Sequence, residues 1–341
     1  ALDLTDLLQF TDPAFAANSA PGESWTYAID WNDGSQPSQG TVTNVVNGGD
    51  QVPTRGRFGD SHAWGNNLPG AASYAVKLSV TDSDGGMDTR DLLVTVQNVP
   101  PTFTAAAQPL TIKEGELLDL ARFGTLFQFS DPGFASNENW DYQIALGEDC
   151  PPSQIEPVGR SWVVRGSAGQ PSLGNLRGTI RYANDGQFTM RVTVRDSDGG
   201  SAIQTVPVTV TNVLPSVQLT PSATVLNAGQ AFSLAAFIND PGFSAAEGFT
   251  YSVEWGDGTA ATTGSIPGTV VPGAGSQATL RVSHTFVSLP ENKSYNVTVR
   301  VQDNAEITVK NLSVTVLAAP LLRAAGTGSN SAGVVLEQSS V

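Results

Sequence analysis

Between residues 74 and 80 the chain alternates strictly, with Tyr74, Val76, Leu78 and Val80 apolar and the positions between them mostly polar. The same alternation returns at Phe188, Met190, Val192 and Val194, and again at Tyr295, Val297, Val299 and Val301. A period of two is the signature of a strand that buries one face. A second alternating segment follows each of these. The three are centred on Val94 and Val96, on Val206 and Val208, and on Val314 and Val316, and they end at "NVPP", "NVLP" and "LAAP". Pro100, Pro215 and Pro320 therefore read as domain junctions. Helical periodicity is almost absent, and the pattern predicts an all-β protein.

The unit repeats as a whole. "FTDPAFA" (10–16), "FSDPGFA" (129–135) and "INDPGF" (238–243) each precede a predicted strand, "WTYAIDWNDG", "WDYQIALGED" and "FTYSVEWGDG". The motif aspartates Asp12, Asp131 and Asp240 stand 119 and 109 residues apart, the length of a complete domain. Several short strands per unit with turn residues between them predict three tandem Ig-like β-sandwiches placed end to end. Their bounds are 1–99, 100–213 and 214–319, followed by a tail, 320–341. With 35 glycines, 21 prolines and only 14% charged residues, the composition agrees with strands and turns.

The ordered set of a "DPG" turn, "IDWNDG", a penultimate strand ending in "VTDSDGG" and a closing "VTVxNVxP" resembles the PKD-like and cadherin-like repeats of large bacterial surface proteins. The resemblance runs from Leu2 to about Pro320. Repeat 2 departs from it, with Leu146 where Trp31 and Trp255 stand and "GED" in place of "NDG". The resemblance implies an extracellular, cell-surface location and a role as spacer, adhesin, surface-layer or fibre component. The fold itself dictates no chemistry.

The twin segments "DSDGG" (82–86 and 196–200) invite a metal reading. An EF-hand loop needs oxygen ligands at positions 1, 3 and 5 and glycine at 6. Counted from Asp82, position 5 is Gly86 and position 6 is Met87, so that reading fails. Two readings remain: a glycine-assisted hairpin turn, and a Ca²⁺ site assembled from separate loops at a domain junction, as the cadherin-like resemblance implies. Carried over residue by residue, the second would use Asp12, Asp131 and Asp240 from the first turn and Asp82, Asp84, Asp196, Asp198 and Asp303 from the end of the penultimate strand. Asn98 and Asn212 would be its linker ligands. The linkers lack the acidic residues of cadherins, and "DNAE" replaces "DSDGG" in repeat 3.

A net charge of −15 repels phosphate backbones, so no nucleic-acid partner is expected. No run approaches the roughly 20 apolar residues of a membrane helix, so no membrane insertion is expected. The single cysteine, Cys150, permits no internal disulfide and reads as incidental. His62 and His284 occupy matching strand positions and read as structural. No nucleophile elbow, HExxH or phosphate loop is present, and the chain is not read as an enzyme. Trp31 and Trp255 fall on the core side of their strands, whereas Trp64, Trp140 and Trp162 are less constrained. An exposed ring among these would suit a carbohydrate ligand. An isopeptide bond finds no buried lysine: Lys77 is on a polar phase, and Lys113 lies beside Glu114 in an expected exposed turn.

Repeats 2 and 3 open with "PTFTAAAQPLTIKEGE" and "PSVQLTPSATVLNAGQ" before "LLDL" and "AFSL". Repeat 1 starts at "ALDL", past such an opening, while the tail 320–341 begins at a junction proline and has the length and character of one. The expected partners are therefore other copies of the chain, joined head to tail when the tail of one completes repeat 1 of the next. The alternatives are a segment cut from a longer repeating chain, and an adhesin or carbohydrate-binding spacer of a larger surface protein.

Overall fold

The computed structural model describes residues 1–13, 22–147, 158–244, 247–287, 290–304 and 306–319. Cys150 and the tail 320–341 lie outside these residues. The chain is all-β, in tandem β-sandwiches, and divides into two compact units, Ala1–Asn212 and Val213–Val341. Among the described residues, three separate hydrophobic cores are present, two in the first unit and one in the second.

The first core lies among β1 (Leu2–Asp3), β2 (Leu8–Asp12), β3 (Trp25–Asp30), β4 (Ser38–Thr41), β5 (Asn44–Val46), β6 (Thr54–Phe58), β7 (Ser61–His62), β8 (Ser73–Asp82) and β9 (Met87–Thr95). One sheet has the order β2-β6-β5 and the other β4-β3-β8-β9, with β1 and β7 forming a two-residue ladder. Trp25, Ile29, Trp31 and Val76 fill the space between the sheets, and Trp31 is on the core side as its phase requires.

The second core is built by β10 (Thr102–Phe103), β11 (Leu110–Lys113), β12 (Leu118–Asp119), β13 (Gln128–Asp131), β14 (Trp140–Ala145), β15 (Val158–Arg160), β16 (Trp162–Val164), β17 (Ser172–Asn175), β18 (Thr179–Ile180), β19 (Gly186–Asp196) and β20 (Ser201–Thr211). The sheets are β10-β13-β17-β16 and β11-β20-β19-β14-β15. A 3₁₀ segment, Leu120–Phe127, is an element that alternation did not predict. Asp119 caps it by accepting from the Ala121 amide (2.9 Å), and Gly124 interrupts it at φ 51°.

The third core uses β21 (Ser216–Pro221), β22 (Val225–Asn227), β23 (Ala231–Asp240), β24 (Gly248–Glu254), β25 (Thr262–Pro267), β26 (Thr269–Val271), β27 (Gly275–Thr285), β28 (Lys293–Asp303) and β29 (Glu306–Leu317). They form sheets β21-β23-β27-β26 and β22-β29-β28-β24-β25.

In repeats 2 and 3 the opening segment is used twice. Its first part, β10 or β21, pairs antiparallel with β13 or β23, and its second part, β11 or β22, crosses over and pairs parallel with the closing strand, β20 or β29. Among the described residues, repeat 1 has no counterpart of either part. Its β2 and β9 each have one ladder partner only. Val80, Val94 and Val96 are consequently half-buried, whereas their counterparts Val194, Val208 and Val210 are fully buried, as are Val301, Val314 and Val316. A cleft of about 860 Å³ reaches along this side past Phe10, Trp25, Val80 and Met87.

The histidines are structural parts of repeats 1 and 3. His62 Nε2 lies 2.7 Å from Asp33 Oδ2 and its ring stacks on Trp31, with centroids 4.7 Å apart; His284 repeats this with Asp257 (2.8 Å) and Trp255 (4.6 Å). Repeat 2 replaces the pair jointly. Leu146 stands for the tryptophan and Ile180 for the histidine, both buried, so the two stacked rings have given way together to two apolar side chains. Lys77 and Lys113 are exposed, but Glu114 beside Lys113 is buried, and its Oε2 accepts from the Asp185 amide (3.2 Å). The expected exposed turn is thus only half exposed. No helix among the described residues is long and apolar enough to cross a membrane.

Candidate metal centre

Each "DPG" or "DPA" aspartate closes a strand at one end of its sandwich and is aimed across the gap at the aspartate that ends the penultimate strand. The local chain sets this up. Asp131 Oδ1 accepts from the Gly133 amide (2.7 Å) and Asp240 Oδ1 from Gly242 (2.7 Å), so the residues after the aspartate hold one oxygen and leave the other pointing inward. The cross-strand partner of each is small and hydroxylated, Thr54, Ser172 or Ser276, and is buried.

The "DSDGG" segments are indeed hairpin turns, and the two glycines of each do different work. Gly85 and Gly199 adopt positive φ, 92° and 96°. Gly86 and Gly200 do not. A Cβ on Gly86 would come within 2.4 Å of Asp82 Oδ2, and one on Gly200 within 2.3 Å of Asp196 Oδ2. The second glycine therefore clears room for a carboxylate, whose other oxygen accepts from two amides: Asp82 Oδ1 from Asp84 (2.9 Å) and Gly86 (2.7 Å), and Asp196 Oδ1 from Asp198 (3.0 Å) and Gly200 (2.7 Å).

A third carboxylate joins the mouths of repeats 1 and 2, and the sequence patterns above do not single it out. Glu23, Glu138 and Glu247 stand two residues ahead of Trp25, Trp140 and Phe249, in segments with no periodicity to flag them. Oxygens of Asp12, Glu23 and Asp82 lie within 4.8 Å of one another. The recurrence of glutamate before the strand-opening aromatic was the available signal.

The mouth of repeat 2 is closed to solvent. Asp131 is 2% exposed and Glu138 2%. Glu138 Oε1 accepts from Ser197 Oγ (2.9 Å) and from the Ser197 amide (3.3 Å), and its loop is fastened by Arg165, which donates to the carbonyls of Ala135 and Glu138. The linker arrives here: Asn98 Nδ2 donates to Asp196 Oδ2 (3.0 Å), and the Gly65 carbonyl of repeat 1 accepts from the Phe134 and Ala135 amides (2.8 and 3.1 Å). A crevice of about 160 Å³ between Trp64, Asn98, Gly133 and Glu138 leads in.

Electrostatically the mouth is unbalanced. Burial, and then the charge of Asp198, push Glu138 up to about 7. Burial also raises Asp131, helped by Asp196 and Asp198 and opposed by Trp140 and the Gly133 amide. Asp131 Oδ2, beside the Trp140 ring, and Asp198 Oδ2 are buried and make no hydrogen bond of ordinary geometry. In repeat 3, burial and the neighbouring Asp303 charge raise Asp240 to about 6, and Asp240 Oδ2 likewise has no donor. In repeat 1 the more open Glu23 is raised by burial and by Asp12, Asp82 and Asp84.

The sequence-derived residues thus sort cleanly. Asp12 and Asp82 share one mouth, Asp131, Asp196, Asp198 and Asn98 a second, and Asp240 and Asp303 a third. Asp84 is exposed and takes part mainly through its amide. Asn212 is the last residue of the first unit, and its side-chain amide makes no hydrogen bond.

No family model and no curated protein sequence matches the chain. Solved structures similar to it include a tetra-tandem repeat from the extending region of a large adhesion protein (13% identity, TM-score 0.36, covering 89% of this chain and 69% of that one). Others are the human desmocollin-1 ectodomain (14%, 0.23, 87% and 52%) and the extracellular cadherin domains 1–5 of protocadherin gamma B2 (13%, 0.26, 92% and 56%). The chain spans about half the length of these two ectodomains.

Proposed function

We propose that this chain is an extracellular structural repeat protein, part of a fibre, stalk or surface layer, whose acidic mouths take Ca²⁺ and stiffen the repeats. The observation that supports the reading is the mouth of repeat 2, where Asp131 and Glu138 flank Gly133, Asp198 is close enough to raise Glu138, and Asp196 is bonded to linker residue Asn98. An all-oxygen set with buried carboxylate oxygens that lack donors suits a hard divalent cation. Asp131, Glu138, Asp196 and Asp198 would hold it, and the amide oxygen of Asn98 would tie the linker to it. The ion would supply charge neutralisation and a crosslink, not catalysis. At the millimolar affinities of extracellular modules, each site would contribute about 1–2 kcal/mol at millimolar calcium.

Titrating calcium into EDTA-treated protein should release or absorb heat and raise the melting temperature of the first unit. Neither change, at calcium up to 10 mM by calorimetry, would remove the metal from the proposal. The biology then lies at the ends of the repeats, and copies associate head to tail, the tail 320–341 of one completing repeat 1 of the next.

A second reading rests on Trp162. It is 48% exposed at the edge of its sheet, beside exposed Val164 and Leu173, with the Arg177 guanidinium 4.9 Å over its ring. An aromatic face flanked by a donor-rich cation suits a sugar, as in an adhesin or carbohydrate-binding spacer. Glycan binding abolished by Trp162→Ala would favour it over a purely structural role.

A further inference from the structure

One outer face of repeat 2 is set apart from the rest of this acidic chain. In the sheet β10-β13-β17-β16, side chains that point away from the core form rows across the strands. Trp162, Asn175 and Gln128 are register partners in one row, and Thr104 continues it, its Oγ1 donating to Gln128 Oε1 (3.2 Å). The row beside it runs from Val164 to Thr102. Neither row carries a carboxylate, although the chain holds 32 acidic against 17 basic residues. Neighbouring strands lie about 4.8 Å apart, so the first row is a flat strip roughly 14 Å long. An exposed aromatic ring stands at one end, with amides and a hydroxyl along the rest. The Asn175 amide makes no hydrogen bond among the described residues, and the Gln128 amide nitrogen remains to donate.

Arg177 gives the strip its charge. Its guanidinium lies 4.9 Å over the Trp162 ring, and its main chain is fixed by the buried Tyr142, whose hydroxyl donates to the Arg177 carbonyl. Among the described residues no carboxylate pairs with it. Arg165 of the same repeat, by contrast, turns its donors to the carbonyls of Ala135 and Glu138. A guanidinium stacked on a ring keeps the N–H donors of its rim free, and their fork matches a carboxylate. Physiological salt screens the charge of the chain as a whole beyond about 8 Å, so the local cation decides what docks here. We infer that this strip binds a polysaccharide whose sugars carry carboxylates, with Arg177 taking the acid group and Trp162, Asn175 and Gln128 meeting the sugar ring and its hydroxyls. An acidic peptide would satisfy Arg177 alone, whereas a primary amide offers both donor and acceptor, as paired hydroxyls require. This rests on the sugar reading of Trp162 above and adds the class of sugar and the polar residues that receive it.

The net charge of −15 carries the chain into a native gel, where a polysaccharide cast in the matrix retards whatever binds it. In EDTA, so that calcium bridges no acid groups, polygalacturonate should retard the protein at about tenfold lower concentration than neutral galactan, the discrimination of one charge-assisted contact. Arg177→Gln should bring polygalacturonate to the galactan level, and Trp162→Ala should abolish retardation by both. The two side chains are exposed, so both variants should keep the parent's circular dichroism. Equal retardation by the two polymers, lost in Trp162→Ala, would overturn the uronate assignment and leave the sugar reading standing. Undiminished retardation of Arg177→Gln by polygalacturonate would take the acid group away from Arg177. Polyglutamate or dextran sulfate acting as strongly as polygalacturonate would reduce the strip to a site for any anion and overturn the carboxylated sugar. Free migration through every polymer at all concentrations would sink the sugar reading of Trp162 as well.

Discussion

Glu138 keeps its proton at pH values where an exposed glutamate has lost it, because burial and the Asp198 charge lift its carboxyl to about 7. Between about 4.5, the unfolded value, and 7 the folded state binds more protons, so without a cation stability falls as pH rises through that window. In EDTA the melting temperature of the first unit should therefore rise from pH 8 to pH 6, and Glu138→Gln should flatten the dependence. The variant should melt roughly 2–4 °C higher than the parent in EDTA at pH 8, the shift that about 1 kcal/mol gives a unit of this size. It should also lose the calcium-induced stabilisation of that mouth. Scanning calorimetry of both proteins at the two pH values reads all of this. Asp257, the partner of His284, obeys a different logic. Asp257 sits below the usual carboxylate range, since hydrogen bonds from Thr259 and His284 outweigh its burial. Its contribution is present above the unfolded pKa and is lost as pH falls through the lower folded value. Replacing His284 with Ala removes both the hydrogen bond and the ring stacked on Trp255. Urea melts at pH 7 should show a loss of about 2–3 kcal/mol.

The long strands were legible because alternation over eight or more residues can only mean one buried face. The phase of Tyr74 to Val80 and of its two copies is the phase observed. What the alternation does not report are elements too short to have a period, such as β1, β7 and β18, and the 3₁₀ segment Leu120–Phe127, whose apolar pattern is cut by Gly124. The aspartates of the mouths were legible for a related reason: they end periodic strands and recur in fixed order. Glu23, Glu138 and Glu247 sit in aperiodic approach segments, and only their shared distance from an aromatic marks them. The open side of repeat 1 was visible as a frame offset, but its energetic consequence needed the burial of individual valines. Val80 and Val194 are equivalent in strand and phase yet differ in cover. Val194→Ala should cost about 2–3 kcal/mol and Val80→Ala about 1 kcal/mol or less in monomeric protein. Denaturant unfolding of the two variants provides the comparison, and equal losses would mean that the Val80 side is already covered.

Within the first unit, Asn98 ties the linker to Asp196 and the Gly65 carbonyl ties a loop of repeat 1 to the Phe134 and Ala135 amides, both beside the acidic mouth. Removing calcium should loosen that attachment. Trypsin does not cut the linker sequence, so thermolysin is the suitable probe, and cleavage between Val96 and Pro101 should be several-fold faster in EDTA than in millimolar calcium. One feature of the architecture also governs behaviour under tension. In repeats 2 and 3 the opening and closing strands run parallel and are bonded side by side, four register pairs in one and three in the other. Pulling the two ends of such a repeat apart slides these strands past each other, so their bonds share the load and must rupture together rather than peel one after another. Among its described residues repeat 1 shows no such ladder. In single-molecule extension it should yield at the lowest force, and a strand seated against β9 should convert it from the weakest link to one as resistant as its neighbours.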